Sequence, residues 1–309
     1  MAGLSTYAAV MDSLLLGTRA SPLAIAQSDR VIAALDVQGL TAQPRIFSTQ
    51  GDRVLDQSFQ ALGDKGMFTA ELEAALHQGL VQAAVHSAKD MSALDDPALP
   101  IVAVLPRDSR VDALIAQDVK AVADLPARAR IGTSSLRRAA QLRQLRPDLI
   151  IVPVRGNLQT RIRKWRQGEV DALLLAAAGL DRLDLRAELP AIDLPLPYAP
   201  CQGIIAIQAR ERAEMWRGLS CAATMTQLAI ERALVRGLGA NCRQPVACQV
   251  DGDVGGGFAI QLYAWGRSGR CESLTHRLAA GQSDEALAQD AETQARALAA
   301  RLPEGLGGA

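Results

Sequence analysis

The chain has 309 residues, 33 basic and 33 acidic side chains, a formal net charge of zero and 49% hydrophobic residues. That length is long for a single core and predicts two or three domains. Balanced charge, with three Trp, three Tyr and four Phe, argues against a nucleic-acid surface, and no apolar run reaches the roughly 18–20 residues that span a bilayer.

Cys201, Cys221, Cys242, Cys248 and Cys271 are odd in number and contain no C-x-x-C pair, and His77, His86 and His276 are scattered. Neither a disulfide framework nor a zinc site is expected. The stretch up to Ser13 has no basic residue and no apolar core, so a cytoplasmic location is expected rather than secretion. Of the 33 basic residues, 29 are arginine and four lysine. Genome composition accounts for most of such a bias, and the placement of the arginines is more telling.

The first predicted strand is Leu14 to Thr18. Ser21 then reads as an N-cap and Pro22 as the first residue of a helix running to Leu35 and stopping near Gly39. Arg19 falls between strand end and helix start, a place that favours anions, though a purely structural role fits equally. Gln43 to Thr49 is a second strand. A glycine-flanked loop, Leu62 to Gly66, carries Lys65 and reads as mobile. An amphipathic helix over Phe68–Leu80, ending at Gly79, leads to a buried strand, Val81 to Val85, which ends in His86-Ser87-Ala88-Lys89-Asp90. Taken alone, that ending is a surface turn with a solvated ion pair, or a carboxylate at the carboxyl end of a strand, where α/β sheets collect ligands. Pro100 to Leu105 is another strand, and residues 106–110 a crossing between domains.

A second α/β unit starts near Asp112. The strand Arg130-Ile131-Gly132 is followed by Thr133-Ser134-Ser135, hydroxyls that cap a helix beginning Leu136-Arg137-Arg138. Free helix N–H groups beside two arginines suit anions; solvated arginines on a capped surface helix are the bland alternative. Leu149 to Val154 ends in Arg155-Gly156-Asn157 and a helix carrying Arg161, and Asp171 to Leu175 leads to a helical turn with Arg182. Strand, turn, helix start and arginine thus recur, which implies more than one anionic group. A proline-rich segment, Pro190 to Pro200, precedes Cys201-Gln202-Gly203 and a strand to Ile207. A helix over Met225–Leu238, a loop holding Cys242, an antiparallel sheet between Val246 and His276 and an alanine-rich helix over Ser283–Leu302 form a separate α+β domain.

Six motifs in order resemble the porphobilinogen deaminase (hydroxymethylbilane synthase) family. They are Gly17-Thr18-Arg19-Ala20-Ser21-Pro22-Leu23-Ala24, Gly63-Asp64-Lys65-Gly66-Met67-Phe68, Val85-His86-Ser87-Ala88-Lys89-Asp90, Ile131-Gly132-Thr133-Ser134-Ser135-Leu136-Arg137-Arg138, Arg155-Gly156-Asn157, and Glu231-Arg232 leading to Cys242 and Pro245. The resemblance spans nearly the whole chain; each motif is weak alone, and their joint order is specific. It implies two periplasmic-binding-protein-like α/β lobes with a cleft between them, plus a C-terminal α+β domain. The expected boundaries are residues 12–106 with 203–221, residues 111–198, and residues 224–309.

The resemblance further implies a monomeric enzyme that joins four porphobilinogens head to tail with loss of ammonia. It would build on a dipyrromethane cofactor held by Cys242 through a thioether, and release hydroxymethylbilane by hydrolysis. Asp90 is expected to be catalytic, stabilising positive charge at the pyrrole nitrogens, and to be the one carboxylate in a cationic cleft. Lys89, Ser135, Arg137, Arg138, Arg155 and Asp90 are expected around the cofactor. Arg19, Ser21, Lys65, Thr133, Ser134, Arg155, Arg161, Arg182 and Gln202 are expected around the substrate, and His86 to be structural. The chain departs from the family pattern at Ala61, Ala88, Asn241 and Cys201-Gln202-Gly203-Ile204, none of which removes Asp90, Cys242 or the main arginines. Two rivals remain at this stage: a two-lobed carboxylate-binding protein without chemistry, and a Schiff-base enzyme using Lys89.

Overall fold

The computed structural model describes residues 13–48, 69–94, 96–211, 214–241 and 244–308. Ala61, Lys65 with its glycine loop, and Cys242 lie outside the described residues.

The apolar strand β1 (Leu14–Arg19) pairs in parallel with β2 (Ala42–Phe47) and β3 (Ala83–Ser87). Between β1 and β2, helix α1 (Pro22–Asp36) begins where its cap residues dictate: Ser21 Oγ accepts the Ala24 N–H at 3.2 Å. Helix α2 (Ala70–His77) begins later than expected and stops just before Gly79, the expected end, which has φ 69°. β3 runs directly into a single 3₁₀ turn, Ala88–Asp90. After β4 (Ile101–Val104) the chain crosses to a second sheet.

That sheet begins with β5 (Asp112–Ile115) and continues through β6 (Arg130–Gly132), α3 (Leu136–Leu145), β7 (Ile150–Val152), α4 (Leu158–Arg166), β8 (Ala172–Ala176) and α5 (Ala177–Asp181). It closes with β9 (Ala191–Leu194), a strand inside the proline-rich segment, where no strand was expected. β9 is an edge strand paired only to β5, flanked by Pro190 and Pro195, and an edge tolerates prolines at its ends. The chain then recrosses to β10 (Ile205–Gln208) in the first sheet.

The two sheets share one plan. Their orders are β2-β1-β3-β10-β4 and β7-β6-β8-β5-β9. In each, three parallel strands are followed by an antiparallel one that arrives from a crossing. The pairs Ile205 with Ser87 and Asp112 with Ala176 therefore place both crossings at the carboxyl ends of the parallel strands. Ligands of open α/β sheets bind there.

Helix α6 (Glu214–Arg217) returns Trp216 to the first core. Helices α7 (Ala222–Gly237) and α8 (Asp284–Ala299) cover an antiparallel sheet of β11 (Val246–Asp253), β12 (Gly257–Trp265) and β13 (Cys271–Leu278). Ile230, Leu234, Phe258, Ile260 and Leu298 lie in their shared core. A side chain at Gly237 would meet the Glu292 carbonyl at 2.3 Å, so only glycine lets these helices approach so closely.

The three units meet at a buried ion pair. Glu231, fully buried on α7, binds Arg107 of the first crossing through contacts of 2.5 and 3.0 Å. It also accepts the Cys201 N–H at 2.5 Å and the Tyr198 hydroxyl at 3.3 Å, both from the return crossing. Arg107 Nε donates to the Gln202 carbonyl at 2.9 Å, and its guanidinium lies 5.0 Å from the Tyr198 ring centroid. Gly203, at φ 87°, brings the crossings together: a Cβ there would sit 2.7 Å from the Asp108 carbonyl. Glu231→Gln leaves Arg107 buried without a countercharge and is expected to lower stability by about 3–5 kcal/mol. Urea unfolding checks this, and a loss below about 1 kcal/mol would make the pair dispensable.

Candidate active site

The residues singled out in sequence collect at the strand ends of both lobes. From the first lobe, Arg19 is the last residue of β1, Ser21 caps α1, and Lys89 and Asp90 occupy the turn after β3. From the second, Thr133 to Ser135 follow β6, Arg137 and Arg138 open α3, and Arg155 precedes α4, which carries Arg161.

Local hydrogen bonding sorts the hydroxyls. Ser135 Oγ accepts the Arg138 N–H at 3.4 Å, and Thr133 Oγ1 accepts the Ser135 N–H at 3.1 Å. As acceptors, these two and Ser21 keep an O–H to donate to an anion. Ser134 differs. Its hydroxyl donates to the Val154 carbonyl at 3.0 Å, which ties the cap of α3 to the chain after β7 rather than offering a proton to a ligand.

Arg137 and Arg138, expected to stand ready for anions, are 3% and 7% exposed and share one carboxylate. Arg137 Nη1 donates to Asp112 Oδ2 at 2.7 Å and Arg138 Nη2 to Oδ1 at 2.8 Å. Arg137 Nη1 also meets Gln141 at 2.9 Å and the Pro197 carbonyl at 3.1 Å, and Arg138 Nη1 meets the Leu174 carbonyl at 3.1 Å. Burial works against the Asp112 charge, but the two guanidinium groups outweigh it and hold the carboxyl well below the usual range. Asp90 is therefore not the one carboxylate of this region, as had been expected. Asp112 is a second, buried beneath the arginines, and its partners stand 25 and 26 residues along the chain.

Gln202 and Arg182 also take places that sequence did not assign. Gln202 is 1% exposed; its Nε2 donates to Asp112 Oδ1 at 3.0 Å and to the Arg110 carbonyl at 2.7 Å, while its Oε1 accepts from Lys89 Nζ at 3.3 Å. Arg182 Nε donates to Asp108 at 2.7 Å and its Nη2 to the Gly203 carbonyl at 2.8 Å. Asp108 in turn accepts from Arg30 of α1 at 2.9 Å. Both side chains are thus hydrogen-bonded at the junction of the lobes.

Burial and neighbouring charges lower two cations of the cleft, Lys89 and Arg161. Burial pushes the Lys89 ammonium down to about 8, with Asp90 opposing and Arg138 adding to the fall. Burial likewise brings Arg161 down to about 10, Arg138 adding and Asp90 opposing. Asp90 therefore lies within the field of Lys89 and Arg161. His86 is pushed down to about 4 by burial, with Gln208 opposing and the Arg19 charge adding. It is neutral near pH 7 and supplies no cation.

Burial pushes the Cys201 thiol up to about 12 and Cys248 well above its ordinary value, so both are inert; Cys221, at the start of α7, is lowered by hydrogen bonds to Thr224. Among the described residues no group of three His, Cys, Asp or Glu side chains converges on a metal position, and no helix is long and apolar enough to cross a membrane.

The family model described as "Porphobilinogen deaminase, dipyromethane cofactor binding domain" matches residues 14–217. The porphobilinogen deaminase of Roseiflexus castenholzii (strain DSM 13941 / HLO8) is 46% identical over 246 residues, 76% of this chain and 80% of that one. That of Xanthomonas euvesicatoria pv. vesicatoria (strain 85-10) is 40% identical over 300 residues, 90% of this chain and 98% of that one. This chain belongs to the porphobilinogen deaminase family. Among solved structures, a nutrient binding protein from Burkholderia cenocepacia bound to methionine aligns with a TM-score of 0.41 and 18% identity, over 67% of this chain and 89% of that one.

The cofactor of porphobilinogen deaminases is dipyrromethane, whose rings carry carboxylate side chains. The donor set here fits such a group. The Nε atoms of Arg137 and Arg138 are buried N–H donors with no acceptor in the structure, and a buried donor left unpaired costs about 1–3 kcal/mol. A carboxylate satisfies them with charge-assisted bonds.

The depressed Lys89 value has a direct check. With only four lysines in the chain, ¹³Cε-lysine NMR should show one resonance titrating near 8 against the ordinary ~10.4, and Lys89→Arg should delete it. The folded protein then binds fewer protons than the unfolded chain between these values, so Lys89 makes stability rise with pH in that window. Four midpoints at or above about 10 would place Lys89 in water.

Proposed function

We propose that this chain is a hydroxymethylbilane synthase. It would join four porphobilinogens head to tail with loss of ammonia onto a dipyrromethane primer on Cys242, then release the linear tetrapyrrole by hydrolysis. When bound, the dipyrromethane supplies the free pyrrole carbon at which chain growth begins. Loss of ammonia from porphobilinogen leaves a cation delocalised toward the pyrrole nitrogen. Asp90 is the group that stabilises it, and a preorganised carboxylate in a water-poor site does so without reorganisation. Support comes from its place on the turn after β3, between Lys89 and Arg161 in the charge couplings. This is the observation that carries the mechanism.

The cations do the complementary work. Arg137, Arg138 and Arg155, with Ser135 and Lys89, hold cofactor carboxylates. Arg19, Ser21, Thr133 and Arg161, with Lys65, receive the acetate and propionate groups of porphobilinogen. Repeated strand–turn–helix ends give the ladder of sites that a lengthening polycarboxylate needs. Arg182 and Gln202 fix the junction on which that ladder is mounted. One chain supplies every group named, which supports a monomer, and the substrate's acidity and the biosynthetic family support a cytoplasmic enzyme.

Intact-mass measurement is expected to find two linked pyrroles on the wild-type chain and none on Cys242→Ala. An adduct mapped to Cys221, or an unmodified wild type that leaves porphobilinogen unconsumed, would overturn the assignment. Asp90→Asn should keep its substrate affinity while turnover falls at least ~10²-fold, and near-normal turnover would remove Asp90 from the chemistry.

A further inference from the structure

Among the described residues, Asp112 is the buried residue that touches both leading arginines and communicates with the opposite lobe. Its carboxylate takes Arg137 on one oxygen, and Arg138 and Gln202 on the other, at 2.7, 2.8 and 3.0 Å. Gln202 belongs to the return crossing, and its carbonyl oxygen accepts from Lys89 of the first lobe at 3.3 Å. Hydrogen bonds therefore run unbroken from Lys89 through Gln202 and Asp112 to both arginines.

We infer that Asp112 is a positioning residue for the cofactor site, setting Arg137 and Arg138 for carboxylate capture and, through the Gln202 amide, setting Lys89 on the facing lobe. For its ligand this rests on the function proposed above.

The chemistry requires an anion at this point. Two guanidinium groups buried side by side repel, and each additionally suffers desolvation. A carboxylate between them relieves both effects. It also occupies Nη1 of Arg137 and Nη2 of Arg138, leaving both Nε donors buried and without acceptors. Asp112 thus selects which guanidinium atoms remain for a ligand. The Gln202 amide is suited to the link because it donates at one end and accepts at the other. A lysine donor from one lobe and a carboxylate acceptor from the other can be joined by it without transferring a proton. The charges acting on Lys89 are Asp90 on its own turn, Arg137 and Arg138 from α3, and Asp112 from β5. Asp112 is the member of this set that favours the Lys89 cation from across the cleft.

The test uses full-length protein and two readouts. Apoprotein of Asp112→Asn, an isosteric change that removes the charge, is loaded with porphobilinogen and followed by intact mass. Loading is expected to slow at least ~10-fold, because a charge-assisted contact to the cofactor is misplaced. In the same variant, the Lys89 ¹³Cε midpoint is expected to fall by about half a pH unit or more, because a supporting negative charge is gone. A merely structural role moves neither the loading of a folded variant nor the Lys89 midpoint. If Asp112→Asn does not fold, Gln202→Met carries the test: it spares both ion pairs while removing the link, together with the bond to the Arg110 carbonyl, and the Lys89 midpoint should still fall. A folded Asp112→Asn protein with wild-type loading or an unmoved midpoint overturns the inference, as does an unmoved midpoint in Gln202→Met. Should wild type itself carry no pyrrole adduct, the functional assignment fails, and the Lys89 midpoint alone decides the Asp112–Gln202 link.

Discussion

The buried contact between Glu231 and Arg107 governs how the rest of this molecule is put together. Taking two charges out of water costs several kcal/mol each, and that cost is offset only when geometry and hydrogen bonding are nearly complete. Here they are: Glu231 receives Arg107, the Cys201 N–H and the Tyr198 hydroxyl, while Arg107 also binds the Gln202 carbonyl. A neutral replacement could be as stable. What the ion pair adds is registry, because a helix of the third unit can satisfy its carboxylate only where both crossings pass.

The placement of the chemistry follows from that registry. The crossings lie at the carboxyl ends of the parallel strands, so fixing them fixes Asp112 and Gln202, and through those the arginines of α3 and Lys89 of the facing lobe. A site for polycarboxylates needs many cations, yet a cluster of bare buried cations would destabilise itself. The fold resolves this by distributing carboxylates beneath the cationic surface. Asp112 serves Arg137 and Arg138, and Asp108 serves Arg30 and Arg182. Asp90, by contrast, lies on the turn after β3.

Much of this architecture was legible residue by residue. Ser21, Ser135, Asn157 and Ser283 all act as N-caps where the local pattern starts a helix, because capping depends on residues within one turn. The recurrence of arginine after strand and turn was equally local. β9 was not legible, since its prolines are acceptable only at an edge, and being an edge is a property of the whole sheet. Ser134 could not be separated from Thr133 and Ser135 by sequence, because its acceptor, the Val154 carbonyl, is 20 residues away.

By itself the sequence determined the element types, the helix starts, the arginine-tipped strand ends and the family, all carried by patterns a few residues long and by motif order. Only the tertiary structure decided which charges face a ligand and which hold the frame. Arg182 and Gln202 moved to the junction, Arg137 and Arg138 acquired a buried partner, and Asp112 rose from a strand's first residue to the centre of a network. The physical reason is the range of the interactions. Caps and turns act over three or four residues, whereas the fate of a buried charge depends on whichever opposite charge the folded chain brings within hydrogen-bonding reach, here from 25 to more than 100 residues away.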